Sequence, residues 1–119
     1  MDTLVKTQID IAEKLYHQAK EELCKPEEDV VPYSVCQSAY NAVVSYLSGV
    51  LINHNIPISE PIKVEELINS CRALNPKYNN LQLSPMYHPK ATEDVWMNMN
   101  TALGYMAMAE KTRQMINLI

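Results

Sequence analysis

The sequence predicts an all-α fold, an up-and-down bundle of four main helices with an irregular loop before the last helix. Apolar residues recur at steps of three and four along several stretches, which is the period of an α-helix. The chain has only 2 glycines and few runs of β-branched residues, so helix is favoured over sheet. With 119 residues, the chain (1–119) is expected to form a single domain with a core of its own.

The helix predicted at residues 34–53 organises the others, because its apolar residues share one long face. A line of small residues runs beside that face and would let a second helix approach closely: Ser38, Ala42, Ser45 and Gly49. The remaining side holds residues expected to face water: Gln37, Asn41 and Ser48. At the start, Ser34 and Gln37 fit a capping box after Pro32.

Two further helices are predicted around it, at residues 3–24 and 63–74. The inward residues of the first are Leu4, Val5, Ile9, Ala12, Leu15, Tyr16, Ala19 and Leu23. The helix at 63–74 ends at Asn75-Pro76, since proline cannot continue a helix. Residues 77–89 then form the irregular loop, and Leu81 and Leu83 are expected to pin it to the bundle.

The last helix is predicted at residues 93–117, with Thr92 as its N-cap. One apolar stripe, flanked by Trp96 and Leu103, consists of Val95, Met99, Ala102, Met106 and Ala109. A second stripe lies on nearly the opposite side and consists of Met97, Gly104, Met108 and Met115. A helix that is apolar on two sides must be covered on two sides. The second stripe is therefore predicted to be a homodimer interface, the alternative being that the 77–89 loop folds over it.

Composition narrows the class of function. A net charge of −4 argues against sequence-independent binding of duplex DNA, which needs a basic face. The 3 cysteines are widely spaced without a CxxC pair, as expected of free thiols in a reducing compartment. Ser, Gln and Asn interrupt the most apolar stretch, which argues against a membrane span. The first residues show no targeting signal, so we expect a cytoplasmic protein.

The order and apolar spacing of these helices resemble those of the HEPN (higher eukaryotes and prokaryotes nucleotide-binding) domain family over nearly the whole chain. The first helix is of the family's LxxAxxxL kind, and residues 39–56 (AYNAVVSYLSGVLINHNI) match its alanine-rich second helix. Residues 64–78 (VEELINSCRALNPKY) are similar to its third segment. The run from Met86 to Pro89 is similar to the Tyr-Pro stretch before the Met- and Ala-rich final helix.

Many HEPN domains are ribonucleases with an Arg-x4–6-His motif, and this chain lacks that motif. Neither Arg72 nor Arg113 is followed by a histidine at the required spacing. Ile62 replaces the family's frequent histidine before the third helix, and Met86 replaces the arginine of the Tyr-Pro stretch. The resemblance therefore implies a non-enzymatic module that homodimerises and binds a partner, such as a nucleotidyltransferase chain of a toxin–antitoxin-like pair.

A second hypothesis stays open, a nucleotide- or RNA-binding or RNA-cleaving HEPN protein with a divergent site. Its candidate residues are His54, Arg72, Tyr87 and His88. A loop histidine such as His88 titrates near neutrality and can act as a base, but His54 also suits the end of a helix. The sequence has no metal-ligand spacing and no Gly-rich phosphate loop, so no metal or cofactor is expected.

Overall fold

The structure is a computed structural model of the chain and describes residues 3–58, 60–87 and 96–116. Within these residues there are four α-helices: α1 (Thr3–Leu23), α2 (Pro32–Asn53), α3 (Val64–Leu74) and α4 (Met99–Ile116). Short 3-10 segments lie at Glu27–Asp29, Pro76–Asn80 and Ser84–Met86. This architecture confirms the predicted all-α bundle of four main helices.

Helix α2 lies at the centre, because α1, α3 and α4 all pack on it. Helix α1 runs antiparallel to α2: Gln8 near the start of α1 lies beside Gly49 near the end of α2. At the opposite end, Glu22 Oε2 accepts a 2.9 Å hydrogen bond from the backbone N–H of Val31. This carboxylate takes up one of the N–H groups that the start of a helix leaves unpaired.

Helix α4 runs in the same direction as α2. Near their starts, the ring of Trp96, just before α4, lies 5.4 Å from that of Tyr33. Near their ends, Ile116 and Asn53 line one cleft. Helix α3 is short, and its first residues lie beside Leu51 while its last residue, Leu74, lies beside Val50. It therefore packs across the C-terminal third of α2, and the 3-10 segments continue toward α4.

The predicted capping box at the start of α2 is wrong. The helix begins at Pro32 with Val31 as N-cap, and the N-cap residue itself makes no side-chain capping bond. Proline's φ already suits the first helical position, so Ser34 falls inside the first turn instead of before it. At the other end, Ile56 N–H bonds to Leu51 carbonyl (2.9 Å) and Asn55, with φ of 58°, supplies the left-handed residue. This is a Schellman termination, with His54 at the C-cap.

The line of small residues on α2 does admit a neighbouring helix, and that helix is α1. A Cβ added at Gly49 would lie 2.8 Å from Ile9 Cδ1, so any larger residue there would require the Ile9 side chain to move. Two predictions near this contact are wrong. Leu4, predicted to face inward, is 58% exposed, and Ser48, predicted to face water, is buried with its Oγ unpaired among the described residues.

The predicted last helix departs most from the structure. Its first part and the proposed cap, residues 92–95, lie outside the described residues. The helix is interrupted at Met97 and Asn98, because Asn98 Oδ1 accepts a 2.7 Å hydrogen bond from Asn100 N–H and α4 starts afresh at Met99. Met97 is therefore not in helical register with the rest of the predicted second stripe.

The inward face of α4 also differs from the predicted one. Leu103, expected to flank that face, is 51% exposed. The buried residues of α4 are Ala102, Tyr105, Met106, Ala109, Thr112 and Ile116. At about 100° per residue, this face is turned by about 50° from the first stripe toward the second. The reason is that Tyr105 is drawn inward by its hydroxyl, which donates a 2.8 Å hydrogen bond to the Pro85 carbonyl.

Candidate functional site

The four candidate residues for nucleotide or RNA chemistry are not gathered in one place. His54 is exposed at the end of α2, and Tyr87 is half-buried against the core after the 84–86 segment. Arg72 points toward the 76–81 segment, where it makes backbone contacts. His88 lies outside the described residues.

Arg72 holds the backbone of the 3-10 segment that follows α3. A terminal guanidinium nitrogen donates a 2.7 Å hydrogen bond to the Leu81 carbonyl, and Nε donates a longer one of 3.4 Å to the Tyr78 carbonyl. A guanidinium presents its donors in a fixed fork, so two carbonyls of one loop can be held together. Arg72 thus links α3 to the loop that carries the buried Leu81.

His54 does belong to a cleft, of about 140 Å³, at the C-terminal ends of three helices. Its lining is Val50, Asn53, His54, Leu74, Asn75, Lys77, Tyr78 and Ile116. Arg72 and Tyr87 are not among these residues. Asn75 and Lys77 were not predicted as site residues, because nothing in their local pattern shows that the ends of α2, α3 and α4 converge.

Most polar groups of this cleft already have structural roles. Asn75 Oδ1 accepts a 3.0 Å hydrogen bond from Lys77 N–H, which starts the 76–80 segment. Lys77 Nζ lies 5.2 Å from the centre of the Tyr78 ring, a cation–π contact. Burial raises the pKa of Tyr78 to about 12, so its hydroxyl stays protonated at neutral pH. The cleft therefore offers hydrogen-bond donors and acceptors, and its one buried phenol is held in the protonated form.

A second polar cluster joins α1 to α4 through Glu13 and Arg113. Arg113 Nε donates hydrogen bonds of 2.9 and 3.1 Å to the two carboxylate oxygens of Glu13, which raises the pKa of Arg113 further. The guanidinium also lies 5.1 Å from the centre of the Tyr16 ring. Since the Glu13 carboxylate balances the charge of Arg113, this cluster acts as a contact between helices.

The predicted interface residues of α4 lie in different environments. Met97 is 64% exposed, and Gly104 has no neighbouring atom within 4 Å of the position its Cβ would take. Met108 and Met115 are half-buried and pack against the protein's own core. These contacts cover Met108 and Met115 in part within one chain, whereas Met97 stays exposed.

Among the described residues, no three His, Cys, Asp or Glu side chains are placed to hold one metal ion.

Helix α2 is the one described helix with the length and hydropathy to cross a membrane. However, 61% of its most apolar stretch is buried in the protein, and core helices of soluble proteins can be as long and as apolar.

No family profile, curated protein or solved structure matches this chain.

Proposed function

We propose that the chain is a non-enzymatic, HEPN-like helical module that works by binding a second copy of itself and a partner protein. The helix order supports the resemblance, and the surface at the start of α4 supports the role. The partner suggested by the resemblance is a nucleotidyltransferase-type chain in a toxin–antitoxin-like pair in the cytoplasm.

The observation that carries the proposal is an uncharged, partly apolar surface at the start of α4. From Trp96 to Ala109 the sequence contains no charged residue and no histidine. Met97 and Leu103 are exposed there, and a Cβ added at Gly104 would meet open space. Methionine adapts its shape to a contacting surface, so exposed side chains of this kind suit a contact with another protein.

The placement of the candidate catalytic residues also supports binding over catalysis. An acid–base mechanism needs its groups within reach of one reacting atom. Arg72 bonds to backbone carbonyls, whereas His54 lies at the cleft and Tyr87 packs on the core. A divergent ribonuclease site built from these side chains would require them to leave their present contacts.

The second candidate function is binding of a nucleotide or an RNA end, and the cleft at His54 and Lys77 favours it. Two features weigh against it. Its volume of about 140 Å³ is below the roughly 300 Å³ at which small-molecule sites usually begin. In addition, residues at the C-terminal ends of three helices line the cleft, and the partial negative charge of such ends disfavours a phosphate.

Native mass spectrometry of the untagged protein after mild lysis tests both candidates. We expect a dimer without a bound small molecule, because the proposed module binds protein surfaces. A retained species of nucleotide mass would favour the second candidate, and its loss in Lys77→Ala would place it in the cleft. A monomer at every concentration, with no bound chain, would contradict the proposed function.

A further inference from the structure

We propose that the partner protein docks through a basic segment on a patch of aromatic side chains where α2 and α4 begin. This inference rests on the proposed function and names the docking surface and the chemistry of the partner. The aromatic patch is defined by Tyr33 and Tyr40 on α2, by Trp96 and by Met97. All four side chains are exposed or half-buried in one chain. The acidic segment Glu27–Asp29 directly precedes α2.

The aromatic patch is built around the ring of Trp96. The centres of the Tyr33 and Tyr40 rings lie 5.4 and 6.2 Å from the centre of the Trp96 ring. The two tyrosines are two helical turns apart, so both lie on the same side of α2. Their rings meet the indole at angles of 55° and 45°, so neither lies flat against it. Met97 follows in the chain and adds an exposed, adaptable thioether.

Hydrogen bonds hold Trp96 in this position. Its Nε1 donates a 3.1 Å hydrogen bond to the hydroxyl of Tyr105, which in turn donates to the Pro85 carbonyl. The thiol of Cys36 donates to the Trp96 carbonyl at 3.6 Å. The ring and the backbone of Trp96 are both fixed in the free chain, so docking on this side chain costs little conformational entropy. Tryptophan and tyrosine are also among the residues that contribute most to protein interfaces.

The acidic segment gives the border of the patch an unbalanced negative charge. Its three carboxylates are exposed and take part in none of the ion pairs among the described residues. The neighbouring Lys25 does not balance them, because it pairs with Glu22 at 3.0 Å. The chain from the end of the acidic segment to Tyr33 can span at most about 14 Å. A docked peptide segment can therefore contact the rings and the carboxylates together.

Basic residues are scarce in the parts of the sequence that form the patch. No lysine or arginine occurs in residues 26–62, which include all of α2, or from Trp96 to Ala109. Residues 88–95, which lead to Trp96 in the sequence, contain two acidic residues and one lysine. The charges nearest to the patch in sequence are therefore mainly negative, and they attract a cationic partner.

Aromatic rings and carboxylates together suit a segment that carries arginine or lysine beside an apolar residue. The face of an indole or phenol ring attracts a guanidinium or ammonium group, and the carboxylates strengthen this attraction. The apolar residue of the partner would contact Met97. A second copy fits less well, because a two-fold axis through the patch would bring the acidic segments of the two copies close together.

Fluorescence of Trp96, the only tryptophan, tests whether the patch binds such a segment. The probes are two peptides of equal length, acetyl-RLRLR-amide and acetyl-ELELE-amide, titrated into the wild-type chain at an ionic strength of about 0.1 M. We expect a saturable change with the basic peptide, with a dissociation constant below about 1 mM, and none with the acidic peptide. No response to the basic peptide, or equal responses to both, would overturn the inference.

Two matched variants locate the binding: Glu28→Lys in the acidic segment and Glu65→Lys in the first turn of α3. Both reverse one exposed carboxylate. The start of α3 lies beside Leu51, about 27 Å along α2 from Tyr33. Glu28→Lys should raise the dissociation constant of the basic peptide at least about fivefold, and Glu65→Lys less than about twofold. Equal weakening would mean attraction by net charge alone and would overturn the site.

A second pair of variants separates ring contact from general apolar contact. Tyr33→Leu removes the ring and should raise the dissociation constant about threefold, whereas Tyr33→Phe keeps the ring and should leave it unchanged. Circular dichroism checks the fold of each variant. If Tyr33→Leu does not fold, Glu28→Lys still decides, because its side chain is exposed. An unchanged constant in a folded Tyr33→Leu would remove the ring of Tyr33 from the site.

Light scattering with and without the basic peptide distinguishes this inference from the proposed homodimer. A dimer that the peptide dissociates would show that the second copy occupies the patch, which would overturn its assignment to the partner. A monomer at every concentration that still binds the peptide at the patch would contradict the homodimer and retain the docking surface. A stable dimer without any peptide response would retain the homodimer and overturn the docking surface.

Discussion

At the scale of single residues, two buried tyrosines differ in whether their hydroxyl group contributes to the stability of the fold. Tyr105 accepts a 3.1 Å hydrogen bond from Trp96 Nε1 and donates one to the Pro85 carbonyl. Tyr46 is fully buried beside Glu13 and Arg113, and burial raises its pKa, but its hydroxyl has no hydrogen-bond partner among the described residues. The phenol of Tyr46 thus contributes to stability through its ring.

Replacing each tyrosine by phenylalanine should separate these cases. Tyr105→Phe is expected to lower the free energy of unfolding by about 2 kcal/mol, because Trp96 Nε1 and the Pro85 carbonyl lose their partner. Tyr46→Phe should change it by less than about 0.5 kcal/mol, because no hydrogen bond is removed. Urea unfolding at neutral pH measures both. An equal loss in the two variants would mean that Tyr46 is hydrogen-bonded to Glu13 in solution.

Residue-scale errors of the sequence analysis have a common cause, which is competition between local and distant partners. Ser34 has the pattern of a helix cap, but the N–H group of Val31 is bonded to Glu22 of another helix. Leu103 fits an apolar stripe, but the hydrogen bond of Tyr105 to Pro85 rotates α4 and exposes it. Neither distant partner can be identified from the spacing of residues along the chain.

At the scale of elements, the two glycines provide a matched test of helix packing. Both lie inside helices, where alanine is intrinsically preferred by about 0.5–1 kcal/mol. Gly104→Ala should therefore stabilise the protein by about that amount, since the added Cβ meets open space. Gly49→Ala should give no net gain, because its Cβ would displace Ile9 where α1 approaches α2. Thermal unfolding of the two variants at one low protein concentration makes the comparison.

Equal stabilisation by the two substitutions would contradict the close approach of α1 to α2 at Gly49.

This contact is the part of the fold that was predicted best from the sequence, since small residues at helical spacing indicate where another helix can lie. The bounds of α1, α2 and α3 follow their predictions within two residues. Prediction was poorer at Met97 and Asn98, where one side-chain hydrogen bond interrupts the expected helix.

At the scale of the whole molecule, the candidate sites were harder to predict than the helices. Periodicity along a helix indicates which residues are apolar together, but the cleft brings together the ends of α2, α3 and α4. Arg72 was a candidate for chemistry on the basis of its residue type, and its contacts with two carbonyls became evident only once the 76–81 segment was placed. A small helical domain has several such ends, and their grouping depends on the connections between helices.

The final prediction concerns the cooperativity of the whole chain. All four helices contribute to one hydrophobic core, so the described helices should unfold in a single step. Trp96, the only tryptophan, contacts Tyr40 of α2 and Tyr105 of α4, so its fluorescence reports on the packing of these two helices. Its urea transition should coincide with that of the helical circular dichroism signal.

The same transition should depend on protein concentration if the folded state is a dimer. Association with a second copy stabilises the folded chain by mass action, and each tenfold rise in concentration adds up to about 1.4 kcal/mol per dimer. The midpoint of wild type should therefore rise with protein concentration. A midpoint that does not depend on concentration would remove the homodimer from the proposal, whereas separate transitions for Trp96 and the helices would contradict the single core.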